Sequence, residues 1–261
     1  MSQLSRISPR AWHVWRRDLD VFFTTWKTNF LPPILEPVYY VLAFGFGMGG
    51  MVGDLTYQGQ TVSYLKFMGP GVIALAILFW AYFETTYSSF VRMYYQKTFD
   101  AIIATPLLVE DVIAGEWFWG ATKSLMAGAI VLVMLSLFGL VTYPSGLVVL
   151  PLSVLGGLLF SAQGLMTTAV VPKIDSFNVT TFLFVFPMFL FSGTFFPIEV
   201  LPRWAFWIAE ILPLTHISNL ARGACLGIMP SHVAVSVIYL LVLTAVSSYL
   251  AFRWMTKRLV K

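Results

Sequence analysis

The chain has 261 residues, 58% of them hydrophobic and 11% charged, and its mean hydropathy of +0.81 excludes an ordinary soluble domain. Its single cysteine, Cys225, excludes an internal disulfide framework, and its three histidines are too scattered to hold a metal. The formal net charge of +4 does not indicate nucleic-acid binding, because the basic residues fall at the ends of apolar runs, where they orient a protein in a bilayer.

The chain begins with a segment that is amphipathic rather than uniformly apolar. Residues 9–29 are predicted to form a helix that starts at Ser8 and Pro9, with tryptophans and phenylalanines on one face and charged residues toward the other. This pattern is typical of an interfacial helix along the cytoplasmic leaflet, and a generic membrane anchor is the alternative. The segment lacks the pattern of a removable signal peptide.

Six later segments are apolar over about the 20 residues that a helix needs to cross the hydrocarbon core. They are residues 31–50, 67–90, 117–141, 146–171, 179–196 and 233–252. An even number of spans places both termini on one side of the membrane. Of the 16 Lys and Arg residues, 13 fall on that side, Arg6 and Lys261 among them, so the positive-inside rule predicts cytoplasmic termini. The predicted fold is an all-α integral membrane protein, with residues 1–261 in one transmembrane domain.

The stretch RMYYQKTFDAIIATPLLVEDVIAGEW, residues 92–117, separates the second and third spans. Six of its 26 residues are charged and four of those are acidic, which departs from the basic bias of cytoplasmic loops. Apolar residues at i, i+3, i+4 and i+7 predict a helix over residues 97–111 with one apolar stripe. The stripe comprises Phe99, Ile102, Ile103 and Pro106, and its charged rim comprises Lys97, Asp100, Glu110 and Asp111. A stripe with a rim of mixed sign favours a protein partner, and a helix resting on the membrane is the alternative.

Two carboxylates fall inside predicted spans, Glu36 early in the first and Glu84 late in the second. A charge at mid-membrane costs roughly 2.5–3.5 kcal/mol on insertion, so each needs a physical reason. Three interpretations stay open: an ion pair or hydrogen bond between helices, a polar patch on a substrate route, and a proton-carrying site. Lys123, near the start of the third span, is predicted to snorkel to the cytoplasmic surface.

The connection 197–232 is too long for a tight turn and too apolar for a solvated loop. Pro202 is predicted to begin a short helix that Pro213 ends, and a second short helix is expected over residues 215–226. Because neither is long enough to cross a membrane, residues 199–227 are predicted to form two re-entrant half-helices on the outer side.

Sequence motifs of catalysis are missing from the chain. It contains no glycine-rich phosphate loop, no G-x-S-x-G and no H-E-x-x-H. An autonomous ATPase or a hydrolase is therefore not expected, and the sequence assigns this chain no catalytic residue, no metal and no bound cofactor.

Two stretches carry a family resemblance: FETTYSSFVRMYYQKTFDAIIATPLLVEDVIAGEWFWGATKSL from Phe83, and FPMFLFSGTFFPIEVLPRWAFWIAEILPLTH from Phe186. They resemble the permease subunits of type-2 ABC exporters, and among these the nodulation protein J, or lipo-oligosaccharide export, branch. Permeases for polysaccharides and drugs are less similar. The resemblance covers essentially the whole chain. It implies a homodimer among the lipids of the cell inner (plasma) membrane, working with two copies of a separate cytoplasmic ATPase that binds ATP and Mg.

The resemblance also implies roles for residues. It makes residues 97–111 a coupling helix that docks on the ATPase, and it makes spans one, two and five the lining of a path for an amphipathic substrate. The candidate path or polar-patch residues are Glu36, Tyr39, Tyr40, Phe44, Trp80, Glu84, Phe189 and Phe195. The candidate outer-gate residues are Phe196, Pro197, Pro202 and Trp204.

Three other functions stay open at this point. A proton-coupled secondary transporter would use Glu36 and Glu84 and would carry inverted repeats, which the sequence does not display. A membrane-embedded transferase would need paired carboxylates, for which the outer connection offers Glu199 and Glu210. A non-transporting scaffold would show no ATP-dependent flux.

Overall fold

A computed structural model describes residues 7–47, 49–230 and 232–260 of the chain. Arg6 and Lys261, two of the basic residues assigned to the cytoplasmic side, lie outside the described residues. The same is true of Met48 in the first predicted span and of Ser231 in the outer connection. The described part is mostly helical, as the composition predicts.

The helices follow the apolar runs of the sequence. In chain order they are α1 (Ala11–Thr24), α2 (Trp26–Tyr40), α3 (Gly49–Val52), α4 (Tyr64–Phe83), α5 (Thr98–Ile103), α6 (Val109–Leu137), α7 (Val149–Val170), α8 (Phe177–Thr180), α9 (Phe186–Phe191), α10 (Arg203–Ile211), α11 (Pro213–Leu226) and α12 (Val233–Leu259). Wider π-helical turns continue α2 over Val41–Phe46 and α4 over Glu84–Ser88 and Val91–Tyr95, and another joins α8 to α9 over Thr181–Val185. Short 3₁₀ turns cover Ser145–Val148, Ile174–Ser176 and Ile198–Val200.

Within the described residues, five helices are long and apolar enough to cross a membrane. They are Tyr64–Tyr95, Val109–Leu137, Ser145–Val170, Ile174–Phe191 and Val233–Leu259. They correspond to the second to sixth predicted spans. The first predicted span, 31–50, is helical over Trp26–Phe46 but is not among the five. The fifth predicted span corresponds to Ile174–Phe191 and ends five residues before its predicted end at 196. The chain turns at Gly193, which has a φ of +66°.

The helix α4 with its π-helical continuation forms the centre of the bundle. In the most apolar part of Tyr64–Tyr95, 78% of residues are buried, against 17% for Ile174–Phe191 and 22% for Val233–Leu259. The helices α6, α7 and α11 pack around it. A Cβ at Gly164 would lie 2.1 Å from Thr85 Oγ1, so α7 approaches the end of α4 as closely as glycine alone permits.

The sequence prediction of an all-α fold misses one small element. The strands β1 (Asp54–Tyr57) and β2 (Gln60–Ser63) form an antiparallel hairpin between α3 and α4. Its two-residue turn places Gln58 and Gly59 at φ of 49° and 76°, the left-handed conformation that such hairpin turns require. The hairpin is too short and too polar to stand out beside the apolar runs.

Two short helices lie between the last two apolar helices, where the sequence predicts them. The helix α10 begins after Pro202, and α11 begins at Pro213 and ends at Gly227, which has a φ of +69°.

One buried arginine holds this region to α4. Arg222 is 1% exposed and donates to Phe67 O (2.9 Å), Gly193 O (2.7 Å) and Asn219 Oδ1 (2.9 Å). Its guanidinium carbon lies 3.8 Å from the centre of the Phe67 ring. The sequence pattern marks Arg222 only as a basic residue of the outer side. In the structure it fastens α11 to the start of α4 and to the turn after α9.

We expect Arg222→Lys to lower the melting temperature of the purified protein, because an ammonium group cannot reach three acceptors that a guanidinium fork reaches together. Two buried carbonyls would lose a charged donor, at a cost of roughly 3 kcal/mol in the free energy of unfolding. Thermal unfolding followed by tryptophan fluorescence measures the change. Arg203→Lys, on an exposed residue of α10, is the control. Equal melting temperatures for both variants would contradict the role of Arg222.

Candidate functional site: a buried charge cluster, an aromatic row and an exposed loop surface

A cluster of charged side chains is buried where α1, α4 and α6 meet. Its members are Asp18, Glu84, Arg92, Glu116 and Lys123, whose side chains are at most 13% exposed. We call this group the charge cluster. Glu84 and Arg92 lie on the two π-helical turns that continue α4. Because π turns hold more residues per turn than α turns, Arg92 returns to the same side of the helix as Glu84.

Arg92 makes the central contacts of the charge cluster. Its Nη1 lies 2.9 Å from Glu84 Oε1, and its Nε lies 2.9 Å from Glu116 Oε1. A second bond, from Nη2 to Glu116 Oε2, makes the pair with Glu116 bidentate. Asp18 Oδ1 lies 4.0 Å from Nε. One guanidinium therefore connects the end of α4 with both α6 and the N-terminal helix.

The position of Lys123 differs from the sequence prediction. Its Nζ does not snorkel to the surface but lies 3.1 Å from Glu84 Oε2. The ammonium also lies 5.2 Å from the centre of the Phe22 ring and 5.3 Å from that of Trp80, a predicted path residue. The docked α1 covers this part of α6, so a buried carboxylate is the nearest group that can neutralise the charge.

Glu84 and Glu36 have different surroundings. The Glu84 carboxylate accepts from Arg92, from Lys123 and from Trp119 Nε1 at 3.0 Å, which fits the ion pair among the three interpretations. Glu36 is half-buried on α2 and has no ion pair within the described residues. With Tyr39, Tyr40 and other residues of α2, it lines a separate apolar cavity of about 550 Å³.

A polar cavity of about 370 Å³ adjoins the charge cluster and includes Glu84, Tyr87 and Arg92 in its wall. Asp18 also lines it, and its Oδ2 has no hydrogen-bond partner within the described part of the chain. Burial raises the pKa of Asp18 to about 8, and the charge of Glu116 adds to this rise while Arg92 and Arg17 oppose it. Asp18 therefore holds a proton near neutral pH.

Aromatic side chains form a continuous series along α2, α4 and α9. Neighbouring ring centres are 5.0–6.1 Å apart, within the range of favourable ring contacts. In order, the rings are Tyr40, Phe44, Phe195, Phe189, Phe79, Phe83 and Tyr87. We call them the aromatic row. At one end Tyr87 lines the polar cavity. At the other end Tyr40, Phe44 and Phe195 contact one another, and Phe195 lies in the turn before the outer helices.

The aromatic row includes four of the predicted path residues and adds others. Tyr40, Phe44, Phe189 and Phe195 come together, whereas Tyr39 is 61% exposed and points away from the bundle. Phe79, Phe83 and Tyr87 are not among the residues predicted from the sequence, although their spacing of four residues places them on one face of a helix. Asp18, Arg92 and Glu116 are not predicted either, because the pairing of distant charges cannot be read from spacing.

The structure differs from the predicted helix over residues 97–111. The helix α5 has only six residues, Thr98–Ile103, and is followed by a turn before α6 begins at Val109. The apolar stripe faces inward. Phe99 is fully buried, and Ile102 and Ile103 are half-buried in a cluster with residues of α4, α6, α7 and α12. Pro106 is exposed, and its carbonyl accepts from Arg10 Nη1 at 2.8 Å.

Two residues of the predicted charged rim are structural. Glu110 and Asp111 are buried in the first turn of α6. Asp111 accepts from the backbone N–H of Ser8 at 2.7 Å and from that of Leu108 at 3.1 Å, so it caps α6 and fastens the N-terminal segment. Only Lys97 and Asp100, an exposed pair with 3.6 Å between Nζ and Oδ2, remain on the surface.

The loop nonetheless offers an exposed surface of its own. It combines aromatic side chains with the exposed ion pair, and its members are Tyr94, Tyr95, Lys97, Asp100 and Leu108. We call it the loop surface. Aromatic residues are enriched at protein interfaces, and polar residues form the rim of such interfaces.

The predicted outer-gate residues lie around the turn that leads into α10. Phe196 and Pro197 are half-buried, and Pro202 is exposed. Trp204 is 63% exposed, and its ring lies 6.4 Å from that of Phe191. The four residues therefore share one end of the bundle with the end of α9.

We expect Asp18→Asn to stabilise the protein more as pH rises. Between about pH 4 and pH 8 the unfolded chain has lost the Asp18 proton while the folded chain keeps it, so rising pH lowers the free energy of unfolding. Asparagine removes this cost. The variant's melting temperature relative to the wild type should therefore increase from about pH 5 to about pH 8.

Asp20→Asn, on an exposed residue of the same helix, is the control and should give a constant difference. A constant difference for Asp18→Asn as well would contradict the assignment.

Comparison with known proteins agrees with this architecture. The family described as ABC-2 type transporter matches residues 10–226. The chain is 36% identical to nodulation protein J of Rhizobium leguminosarum bv. viciae over 92% of its length and 93% of the relative's. It is 32% identical to nodulation protein J of Sinorhizobium fredii over 94% and 92%. It is 24% identical to the inner membrane transport permease YadH of Escherichia coli over 82% of each chain. With a match over most of its length and relatives above 30% identity, this protein belongs to the ABC-2 type transporter family of membrane permeases.

Proposed function

We propose that this chain is the membrane-spanning permease subunit of an ABC exporter, which moves an amphipathic molecule out of the cytoplasm or the inner leaflet. A separate ATPase subunit binds ATP and Mg and supplies the energy. The observation that carries the proposal is the aromatic row, which leads from the polar cavity beside the charge cluster to the turn before the outer helices.

The chemistry of these two features suits a substrate with a polar end and an apolar body. The polar cavity offers carboxylates and basic groups to hydroxyls, while aromatic faces stack on sugar rings or pack against acyl chains. The substrate class is therefore a lipo-oligosaccharide, a polysaccharide, or a lipid-like or drug molecule.

The proposed membrane arrangement has six spans with both termini in the cytoplasm. In addition to the five long apolar helices, the helix Trp26–Phe46 is proposed to cross the membrane as the first span of the chain. It contains three prolines and a π-helical turn. Interrupted helices of this kind are tolerated in membranes where they line a cavity or pack against protein. The helices α10 and α11 then form the re-entrant outer region, with Phe196, Pro197, Pro202 and Trp204 at its gate.

A second copy of the chain completes the path in this proposal. The helix Ile174–Phe191 is little buried, and its exposed residues include Phe182, Phe184 and Phe186. These rings lie on the same helix as Phe189 of the aromatic row. A homodimer joined along this helix would enclose the aromatic row between its two copies.

The loop surface is the proposed contact with the ATPase. Behind it, Phe99 is packed against the ends of the spans, and Arg10 joins the turn after α5 to α1. Closure of the ATPase dimer would push on the loop surface, and α5 would pass the displacement to α1 and α6. Both helices line the polar cavity, so the movement reaches the entrance of the path.

The rival functions have less support. Glu84 is neutralised by two cations, which leaves it poorly suited to carry protons as a secondary transporter requires. A transferase would need two carboxylates paired at one site, but Glu199 is exposed on a 3₁₀ turn and Glu210 lies near the end of α10. Export that follows a proton gradient and ignores ATP in reconstituted vesicles would favour the secondary transporter.

We expect Asp100→Arg to uncouple ATP hydrolysis from export, because it reverses a charge on the loop surface without touching the buried stripe. In vesicles containing permease and ATPase, substrate-stimulated hydrolysis and export should both fall at least tenfold, which corresponds to about 1.4 kcal/mol of lost coupling. Asp54→Arg, which makes the same change on the exposed hairpin, is the matched control. Export at the wild-type rate in Asp100→Arg would refute the coupling role.

We expect Phe44→Ala to slow export about tenfold, because it removes one ring from the aromatic row and its contact with Phe195 at 5.0 Å. Binding of the ATPase should stay unchanged. Phe118→Ala, on an exposed face of α6 outside the aromatic row, is the control. Initial export rates at saturating ATP measure the effect, and similar rates for both variants would argue against this path.

A further inference from the structure

A cavity outside the proposed path lies between the ends of α7 and α12. Its volume is about 550 Å³, and its lining residues are Ala169, Val170, Pro172, Trp254, Lys257 and Arg258. None of them belongs to the charge cluster, the aromatic row or the loop surface. Transport as proposed leaves this cavity without a role.

Positive charge dominates the rim of this cavity. Lys257 is exposed, and Arg253, one helical turn earlier on α12, is exposed as well. Neither forms an ion pair with a described residue. The acidic residue closest in sequence to this end of α7 is Asp175, and the exposed Lys173 on the same loop offsets it. The cavity wall therefore contains Lys257 as a cation without an ion pair among the described residues, and Arg253 adds a second such cation one turn away on the same helix.

Arg258 prepares the wall of the cavity for an anion. Its Nη1 donates to Val171 O at 2.6 Å and to Thr168 O, two carbonyls at the end of α7. Its guanidinium carbon lies 5.5 Å from the centre of the Phe90 ring. Carbonyls at a helix C-terminus carry partial negative charge and would repel an anion. Arg258 covers them with a positive group.

The remaining wall is apolar and faces outward. Val170 is 66% exposed and Trp254 is 38% exposed, both at the ends of helices that are long and apolar enough to cross a membrane. Tryptophan at such an end is typical of the boundary between headgroups and acyl chains. A cationic rim beside an outward apolar wall matches a molecule with an anionic head and a hydrocarbon tail.

We propose that this cavity binds an anionic phospholipid, with its phosphate against Lys257 and Arg253 and the start of an acyl chain along Val170 and Trp254. Basic pockets between membrane helices are known to take such headgroups. A zwitterionic phospholipid has no net charge to match the rim, so it binds more weakly. The proposal rests on the membrane placement of α7 and α12 and is independent of the substrate and of the direction of transport.

The test uses the full chain purified in detergent and titrated with phosphatidylglycerol or phosphatidylcholine, with native mass spectrometry to count retained lipids. The wild type should retain phosphatidylglycerol in preference to phosphatidylcholine. The double variant R253Q/K257Q should lose most of this preference, by roughly fivefold for each charge removed. The control K66Q/R203Q removes two exposed charges elsewhere and should keep the preference.

Three results would overturn the proposal. The first is equal retention of both lipids by the wild type. The second is equal loss of phosphatidylglycerol in R253Q/K257Q and K66Q/R203Q. The third is unchanged lipid retention in R253Q/K257Q together with weaker binding of the ATPase subunit, which would assign the cavity to the protein interface. None of these results would affect the export proposal, because ATP-dependent flux is measured separately.

Discussion

The ion pairs of Arg92 are the constraint on which the rest of the structure depends. A buried guanidinium without partners costs several kcal/mol, so the folded state must supply carboxylates to it. Glu84 lies on its own helix, but Glu116 comes from α6 and Asp18 from α1. Glu116 pairs with Arg92 only when α6 is docked, and α1 closes the charge cluster with Asp18, which is protonated near neutral pH. For this reason the N-terminal helix is a packed part of the bundle, with Val14 against Gly115, as well as an amphipathic surface element.

The same docking fixes the position of the loop between α4 and α6. Ser8 is bound to Asp111, Arg10 to the Pro106 carbonyl, and Phe99 is enclosed by the bundle. The N-terminal segment therefore contacts both the start of α6 and the turn between α5 and α6, and α5 itself packs against the bundle. Because packed protein interiors have low compressibility, a displacement of α5 would be transmitted to the elements packed against it.

Composition and periodicity predict most of this fold but only part of its site. Long apolar runs identify the helices, and prolines with glycines mark the outer ones, because these signals are local. The depth of Lys123 and the partners of Arg92 depend on helices far apart in sequence, so no local pattern records them. The π-helical turns also bring Glu84 and Arg92 to the same side of the helix, and the regular α-helical period does not predict this. The hairpin at Gln58 and Gly59 was missed because its strands have four residues each.

The apolar stripe shows that a helical pattern does not identify what its apolar face packs against. Spacing of i, i+3, i+4 and i+7 states that one face of a helix is buried but not what buries it. In this chain Phe99 and its neighbours are buried by the protein's own spans, and the face that remains is small, aromatic and charged. For an element that transmits force, this orientation has a physical advantage. In the proposed coupling role, the apolar side would stay joined to the helices that the ATPase moves, while the polar side would meet and leave the ATPase without exposing hydrophobic surface to water.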